Sequence, residues 1–192
     1  MTSKNTAAVI LAAGSGRRMG GPKALLKLGA ETLLHRTVRV ALEAGCAPVL
    51  AVVGDWDPGL GDLAVSTLIN PSAHEGMASS LRLGIAALPP EPEAVLLLTV
   101  DQPAVDADLL HALLKLAAED PERPAACAYA GSMGIPAVLP RRFFGELMTL
   151  RGDRGAKAIV LREQSASLPF PAGAEDLDTP GDLARLRDCH DG

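Results

Sequence analysis

Four basic residues are concentrated in a short, glycine-rich part of the sequence that begins LAAGSGRRMGGPK at positions 11–23. No acidic residue lies between positions 11 and 28, although the chain carries a net charge of −5. Glycine-rich backbone between a strand and a helix can turn its N–H groups toward phosphate oxygens. This concentration of positive charge favours a triphosphate, or the pyrophosphate that is released from a triphosphate. Some of the four cations could instead be solvated at the surface. The four are Arg17, Arg18, Lys23 and Lys27.

Two common nucleotide-binding patterns do not fit this loop. The dinucleotide pattern GxGxxG would begin at Gly14 and needs a glycine at position 19, where Met19 stands. The Walker pattern, counted from Gly16, needs a lysine where Pro22 stands. The loop therefore predicts a phosphate site of a different class.

Two aspartates are candidates for holding a divalent metal. Asp101 ends the apolar segment EAVLLLTVD (93–101), and open α/β sheets bind ligands at the carboxyl ends of their strands. Magnesium is commonly held by one or two carboxylates together with substrate phosphates. Asp178 is the second candidate, although an aspartate just before Thr179 and Pro180 also suits a helix start, and Asp101 could instead cap a turn.

The arrangement of apolar residues predicts the elements that position these groups. Continuous apolar runs at 7–13, 48–54 and 93–101 are typical of strands buried on both faces, with a weaker strand at 65–70. Helical spacing follows at 31–45, 76–88 and 107–120. This alternation predicts a three-layer α/β fold with a mainly parallel sheet, and we expect one domain over residues 1–192.

The last third of the chain has less regular patterns. Strands are expected at 124–130 and 135–140, joined by a turn through residues 131–134, and helices at 141–150, 154–163 and 179–188. The final helix would begin with Thr179 as its N-cap and Pro180 as its first residue.

Composition excludes several classes of protein. A pI near 5.3 argues against a nucleic-acid partner, and no apolar run approaches the ~20 residues that span a bilayer. Residues 1–6 are too short and polar for a signal peptide, so we expect a cytoplasmic protein. Three widely spaced cysteines indicate reduced, structural thiols.

Several of these motifs together resemble one known family. LAAGSGRRMGGPK is similar to the signature loop LAAGxGxRM…PK of the nucleotidyltransferases that act on sugar phosphates and cofactors. NPSAHEGMASSLRLGI (70–85), DQP (101–103), GDRGAK (152–157) and DLDTPGDL (176–183) resemble segments of the molybdenum cofactor cytidylyltransferase-like group. The resemblance extends over most of the chain.

The resemblance implies a Rossmann-like nucleotidyltransferase fold with a mixed, mainly parallel sheet, and a role for each motif. Arg18 and Lys23 would hold the phosphates, while Asp101 and Asp178 would hold Mg²⁺ or Mn²⁺. Ser80 matches a serine that contacts the base, although Ser79 and Ser80 could instead cap the following helix. The resemblance and the charge of the glycine-rich loop together assign ten residues to nucleotide binding: Leu11, Ala12, Ala13, Gly14, Ser15, Gly16, Arg17, Lys23, Ser79 and Ser80.

The implied reaction moves CMP from CTP onto the phosphate of molybdopterin-bound molybdenum, with release of pyrophosphate. Ala13 favours CTP, because cytidylyl-transferring relatives read LAAG and guanylyl-transferring ones LAGG. Many relatives have the sequence GHP at a point where this chain has Ile135 in place of the histidine. Acceptor binding is therefore expected to use Asp153 and Lys157, with Ile135 in the pocket wall. The alternatives are another small phosphorylated acceptor and a non-catalytic carrier that delivers the cofactor to a molybdenum hydroxylase.

Overall fold

A seven-stranded mixed sheet forms the centre of the protein in the computed structural model, which describes residues 5–14, 16, 20–175, 177, 181 and 182. The strand order is β5-β4-β1-β6-β8-β7-β9, and β2 and β3 form a separate two-stranded ribbon. The strands are β1 (Thr6–Leu11), β2 (Lys27–Leu28), β3 (Glu31–Thr32), β4 (Val49–Val53), β5 (Ser66–Ile69), β6 (Ala94–Thr99), β7 (Ala125–Tyr129), β8 (Ser132–Pro140) and β9 (Ala166–Pro169).

The parallel half of the sheet contains β5, β4, β1 and β6, as the buried apolar runs predict. Every residue of β1 and β4 is buried. Side chains alternate along β1, so that Ile10 packs into one apolar cluster and Val9 into another on the opposite face. A strand with both faces covered has to be apolar throughout, which explains the sequence pattern.

In the described part of residues 5–175, five α-helices cover the two faces of the sheet. Leu34 of α1 and Leu113 of α3 belong to the first cluster, whereas Leu81 of α2 and Ile159 of α5 belong to the second. The predicted three-layer α/β architecture is therefore confirmed. The helices are α1 (Leu33–Glu43), α2 (Met77–Ala86), α3 (Ala107–Glu119), α4 (Phe144–Leu147) and α5 (Lys157–Arg162).

The other half of the sheet contains antiparallel pairings. Strand β8 pairs antiparallel with both β6 and β7, and β7 pairs parallel with β9. The turn between β7 and β8 is shorter than the predicted 131–134, because Tyr129 already pairs with Ser132. Only Ala130 and Gly131 form it, with φ of 48° and 70°, the positive values of a type I′ hairpin turn.

Two predicted helices differ in extent from the sequence pattern. Residues 141–150 contain a 3₁₀ turn followed by the short α4, and residues 154–163 contain only α5. Most of the helix expected at 179–188 lies outside the described residues. Residues 181 and 182 are described, and both are helical. The ribbon of β2 and β3, and strand β9, were not predicted.

Two of the three cysteines lie in the described core as free thiols. Burial raises the pKa of Cys46 and of Cys127 to about 12, so neither supplies a thiolate nucleophile at neutral pH. Cys189 lies outside the described residues. Among the described helices, none has the length and apolar character to cross a membrane.

Candidate functional site

A cavity of about 500 Å³ opens at the carboxyl ends of β1 and β6. From β1 the parallel strands β4 and β5 extend to one side, while β6 lies on the other, so the cavity sits where the strand order reverses. Ligands bind at this kind of position in open α/β sheets. The cavity is lined by Leu11, Ala12, Ala13, Gly14, Gly16, Lys23, Ala73, His74, Gly76, Met77, Ser80, Thr99, Val100, Asp101 and Asp153.

The glycine-rich loop after β1 folds back on itself at Gly16. This residue has φ of +54°, and a Cβ placed on it would lie 1.9 Å from the carbonyl oxygen of Gly21. Glycine is the residue that permits both the positive φ and this close approach. The loop then passes through Pro22 into a 3₁₀ turn at Lys23–Leu25, which directs Lys23 to the cavity.

Lys23 and Asp101 meet in the cavity although they are far apart in the sequence. Lys23 Nζ lies 3.9 Å from Asp101 Oδ2, and the side chains are 20% and 32% exposed. The positive charge of Lys23 suits phosphate oxygens. The Asp101 carboxylate, at the end of β6, suits a divalent cation that would also bind those oxygens.

Asn70 and two serines of α2 form a buried polar group behind the cavity. Asn70 Nδ2 donates hydrogen bonds of 2.9 Å to Ser79 Oγ and to Ser80 Oγ. Ser79 Oγ donates in turn to the carbonyl oxygen of Gly76 at 2.8 Å. These bonds hold the first turn of α2 against the end of β5, with Ser80 at the cavity.

Gly76 brings the GDRGAK segment to the same cavity. The N–H of Ala78 donates to the carbonyl oxygen of Gly152 at 3.0 Å. A Cβ on Gly76 would lie 2.5 Å from Asp153 Oδ1 and 2.6 Å from Gly152 O. Gly76 also has φ of 102° and ψ of 180°, a conformation that is essentially restricted to glycine.

We expect Gly76→Ala to lower the free energy of unfolding by at least about 2 kcal/mol, because it adds backbone strain and a clash with Gly152. It should also weaken nucleotide binding by displacing Asp153 and the start of α2. Chemical denaturation measures the first effect and calorimetric titration the second. Gly145→Ala is the control, since a Cβ there meets no atom within 4 Å. Equal stability of the two variants would contradict this packing.

The loop that carries Asp101 is fastened to other parts of the chain. The carbonyl oxygen of Asp101 accepts a hydrogen bond of 2.9 Å from the N–H of Leu177. Gln102 Nε2 donates to the carbonyl oxygen of Gly173 at 3.2 Å. Arg36 of α1 donates from Nε to the carbonyl oxygen of Pro103 at 3.2 Å. These contacts fix the backbone on either side of the carboxylate.

The structure brings together most of the sequence-predicted site residues that it describes. The cavity lining includes Leu11, Ala12, Ala13, Gly14, Gly16, Lys23, Ser80, Asp101 and Asp153. Ser79 instead directs its hydroxyl at Gly76, and Lys157 and the half-buried Ile135 are not among the lining residues. Four further candidates lie outside the described residues: Ser15, Arg17, Arg18 and Asp178.

Two carboxylates of the described part of the chain line the cavity: Asp101, which follows β6, and Asp153. Among the described residues, no group of three or more His, Cys, Asp and Glu side chains is placed to hold a metal. Asp101 beside the glycine-rich loop nevertheless fits a cation that is held partly by a substrate, because magnesium often takes only one or two protein carboxylates.

Several residues at the site were not assigned a role from the sequence. Thr99 and His74 line the cavity, and Asn70 lies behind it. Asn70 opens the NPSAHEGMASSLRLGI segment, so its position in the motif was the available signal. For Thr99 the signal was its place two residues before Asp101 in the same strand.

Comparison with known protein families supports the geometry. Residues 8–167 match the MobA-like NTP transferase domain family. The chain belongs to this family. The match spans the glycine-rich loop, Asp101 and the GDRGAK segment, so the cavity lies within the matched part.

Several proteins whose names give different activities are similar to this chain. Nicotine blue oxidoreductase of Paenarthrobacter nicotinovorans is 31% identical, with 93% of this chain and 94% of the relative covered. Molybdenum cofactor guanylyltransferase of Rhodobacter capsulatus is 29% identical, with 95% of each covered. The 2-C-methyl-D-erythritol 4-phosphate cytidylyltransferase of Streptomyces coelicolor is 36% identical over 70% of this chain and 49% of the relative.

Solved structures have the same fold, among them a nucleotidyl transferase from Methanothermobacter thermautotroptrophicus, with a TM-score of 0.78 at 23% identity over 96% of this chain and 97% of that one. Rv0371c from Mycobacterium tuberculosis superposes with a TM-score of 0.81 at 28% identity, covering 97% of this chain and all of that one. The same protein has a structure in complex with manganese, with a TM-score of 0.75 at 27% identity over 97% of this chain and 100% of that one.

Proposed function

We propose that this protein transfers CMP from CTP to the phosphate of molybdopterin-bound molybdenum and releases pyrophosphate. The observation that carries the proposal is the approach of Lys23 to Asp101 beside the glycine-rich loop, in a cavity large enough for a nucleotide. The similarity to a molybdenum cofactor guanylyltransferase supports the choice of acceptor class.

In the proposed reaction an oxygen of the acceptor phosphate attacks the α-phosphorus of CTP, and the bond from that phosphorus to the pyrophosphate oxygen breaks. Both reactants are anions, so catalysis depends on placing positive charge where negative charge accumulates. Lys23 supplies such a charge at the phosphates. Asp101 would hold Mg²⁺ or Mn²⁺, which supplies further neutralisation when it is bound. The manganese complex of Rv0371c supports a divalent metal in this fold.

The acceptor is proposed to approach from the side of Asp153. This carboxylate lines the cavity next to Gly76, and Lys157 begins α5 four residues later. Ile135 packs partly against the apolar cluster under α2 and α5, so its proposed contribution is to shape the wall of the acceptor region. An interaction with a molybdenum hydroxylase that receives the product belongs to the same proposal.

The direct test is to measure pyrophosphate release with each nucleoside triphosphate in turn, in the presence of Mg²⁺ or Mn²⁺. The acceptors should include molybdopterin-bound molybdenum, a sugar phosphate and an isoprenoid-precursor phosphate. Release that requires both CTP and the molybdopterin species supports the proposal. Release with another phosphate, and none with molybdopterin, would assign the protein a different acceptor.

Ala13 is the residue on which the preference for CTP is proposed to depend. Its side chain is 7% exposed and lines the cavity, where a methyl group leaves less room for a purine than for a pyrimidine. We expect Ala13→Gly to reduce the ratio of CTP to GTP turnover, by an amount worth at most roughly 1–3 kcal/mol. The measurement is kcat/KM for both nucleotides.

A matched control for this substitution is Ala8→Gly in β1, the strand that precedes Ala13. Ala8 is fully buried in the first apolar cluster and does not line the cavity. It should reduce stability and leave the ratio of CTP to GTP turnover unchanged. Equal turnover of the two nucleotides by the unmutated protein would remove the assignment to cytidylyl transfer.

A further inference from the structure

The side-chain amide of Asn70 has an orientation that its neighbours determine. The backbone N–H of Ser72 donates to Oδ1 at 2.9 Å. Because an N–H group can only donate, the atom it contacts must be the amide oxygen. The NH₂ group of Asn70 therefore points to the two serines of α2. The residue is 5% exposed, and its own N–H donates to the carbonyl oxygen of Val53.

This orientation makes both serine hydroxyls acceptors. Ser79 Oγ and Ser80 Oγ each accept from Asn70 Nδ2 at 2.9 Å, so each hydroxyl hydrogen must point elsewhere. The hydrogen of Ser79 is directed to the carbonyl oxygen of Gly76. Within the described part of the chain, no hydrogen bond takes the hydrogen of Ser80, whose side chain lines the cavity.

We infer that Asn70 is a positioning residue that presents the Ser80 hydroxyl to the nucleotide base as a hydrogen-bond donor. This inference rests on the proposed function and on the resemblance, which matches Ser80 to a serine that contacts the base. The Ser80 hydroxyl can donate to a base edge that has an unprotonated ring nitrogen or a carbonyl oxygen at that point. An amino group there is itself a donor, so two donors would face each other. Selection by hydrogen-bond polarity is effective in a buried site because an unmatched polar group loses its bond to water.

Asn70→Asp tests the inference because it changes polarity with little change in shape. A carboxylate can still accept from the N–H of Ser72, but toward the serines it can only accept. The hydroxyl hydrogen of Ser80 then turns to the introduced carboxylate, and a lone pair faces the cavity. We expect the affinity for CTP to fall about tenfold, the size of one lost hydrogen bond. Affinity for tripolyphosphate with Mg²⁺, which has no base, should fall less, and only through the added negative charge.

A double-mutant cycle shows whether Asn70 acts through Ser80. Ser80→Ala alone should weaken CTP binding, and Asn70→Asp should cause little further loss in that background. Ser66→Ala is the matched control, because Ser66 is exposed on β5 and does not line the cavity, and it should leave CTP affinity unchanged. An undiminished effect of Asn70→Asp in the Ser80→Ala background would overturn the inference.

Two further results separate failure of the inference from failure of the proposed function. If the unmutated protein binds CTP and GTP no more tightly than tripolyphosphate, the proposed base site is wrong and the inference fails with it. If it binds CTP more tightly but Asn70→Asp weakens CTP and tripolyphosphate equally, only the inference fails. If Asn70→Asp does not fold, Asn70→Ser replaces it in the test, because the shorter side chain cannot hold Ser80. We then expect a smaller loss of affinity, confined to CTP and GTP.

Discussion

Asp101→Asn is expected to lower kcat for nucleotidyl transfer by at least about a hundredfold and to leave the fold intact. The substitution removes the negative charge that would hold the divalent cation, so the phosphates lose a positive charge during transfer. The side chain is 32% exposed and the loop is held by backbone contacts of Asp101 and by Gln102, so stability should change little. Pyrophosphate release and thermal unfolding measure the two effects.

Asp62→Asn is the control for this variant, because Asp62 is exposed and does not line the cavity. It should retain full activity. If Asp101→Asn keeps more than about a tenth of the turnover, a change of only ~1.4 kcal/mol in the barrier, the metal is not held where we propose.

Lys23→Ala is expected to be comparably severe, with a lower kcat and a higher KM for the nucleotide. The side chain is 20% exposed beside the cavity, so its charge acts on phosphates that are only partly screened by water. Steady-state kinetics with varied CTP separates the two parameters. Retention of more than about a tenth of the activity would again mean that the phosphates lie elsewhere.

Two other substitutions make the result for Lys23 specific. Lys115→Ala removes a lysine from the exposed face of α3 and should have no effect on turnover. Lys23→Arg retains the charge in a larger, planar group, and we expect activity between those of the alanine variant and the unmutated protein. Activity of Lys23→Arg as low as that of Lys23→Ala would indicate that shape, more than charge, matters at this position.

The parallel half of the fold was predictable because burial on both faces leaves few residue types to choose from. The runs that form β1, β4 and β6 consist mostly of Ala, Val, Leu and Ile. Strand β9 was missed because its residues alternate between half-buried and exposed and it is four residues long. Ala130 at positive φ also gives no warning in the sequence, since alanine rarely adopts that conformation.

The candidate site also has one part that the sequence predicts and another that it does not. Glycine spacing and the end of an apolar strand located the loop and Asp101, because both are local features. The approach of Gly152 and Asp153 to Gly76 joins segments about 75 residues apart in the chain and depends on how α2 and α5 pack over the sheet. The orientation of the Asn70 amide depends on the positions of individual atoms, which motif spacing does not give.

The fastening of the Asp101 loop has a consequence for how the protein is made. The partner of Gln102, the carbonyl group of Gly173, is added 71 residues later. At typical translation rates of about 5–20 residues per second, that interval is roughly 4–14 s. During this time the nascent chain already contains the glycine-rich loop and the strands of the parallel half. A ribosome-bound intermediate would then present the proposed phosphate-binding groups before the Asp101 loop is held in place. Synthesis of Gly173, rather than collapse of the parallel half, would then mark the point from which the Asp101 loop can be held in place.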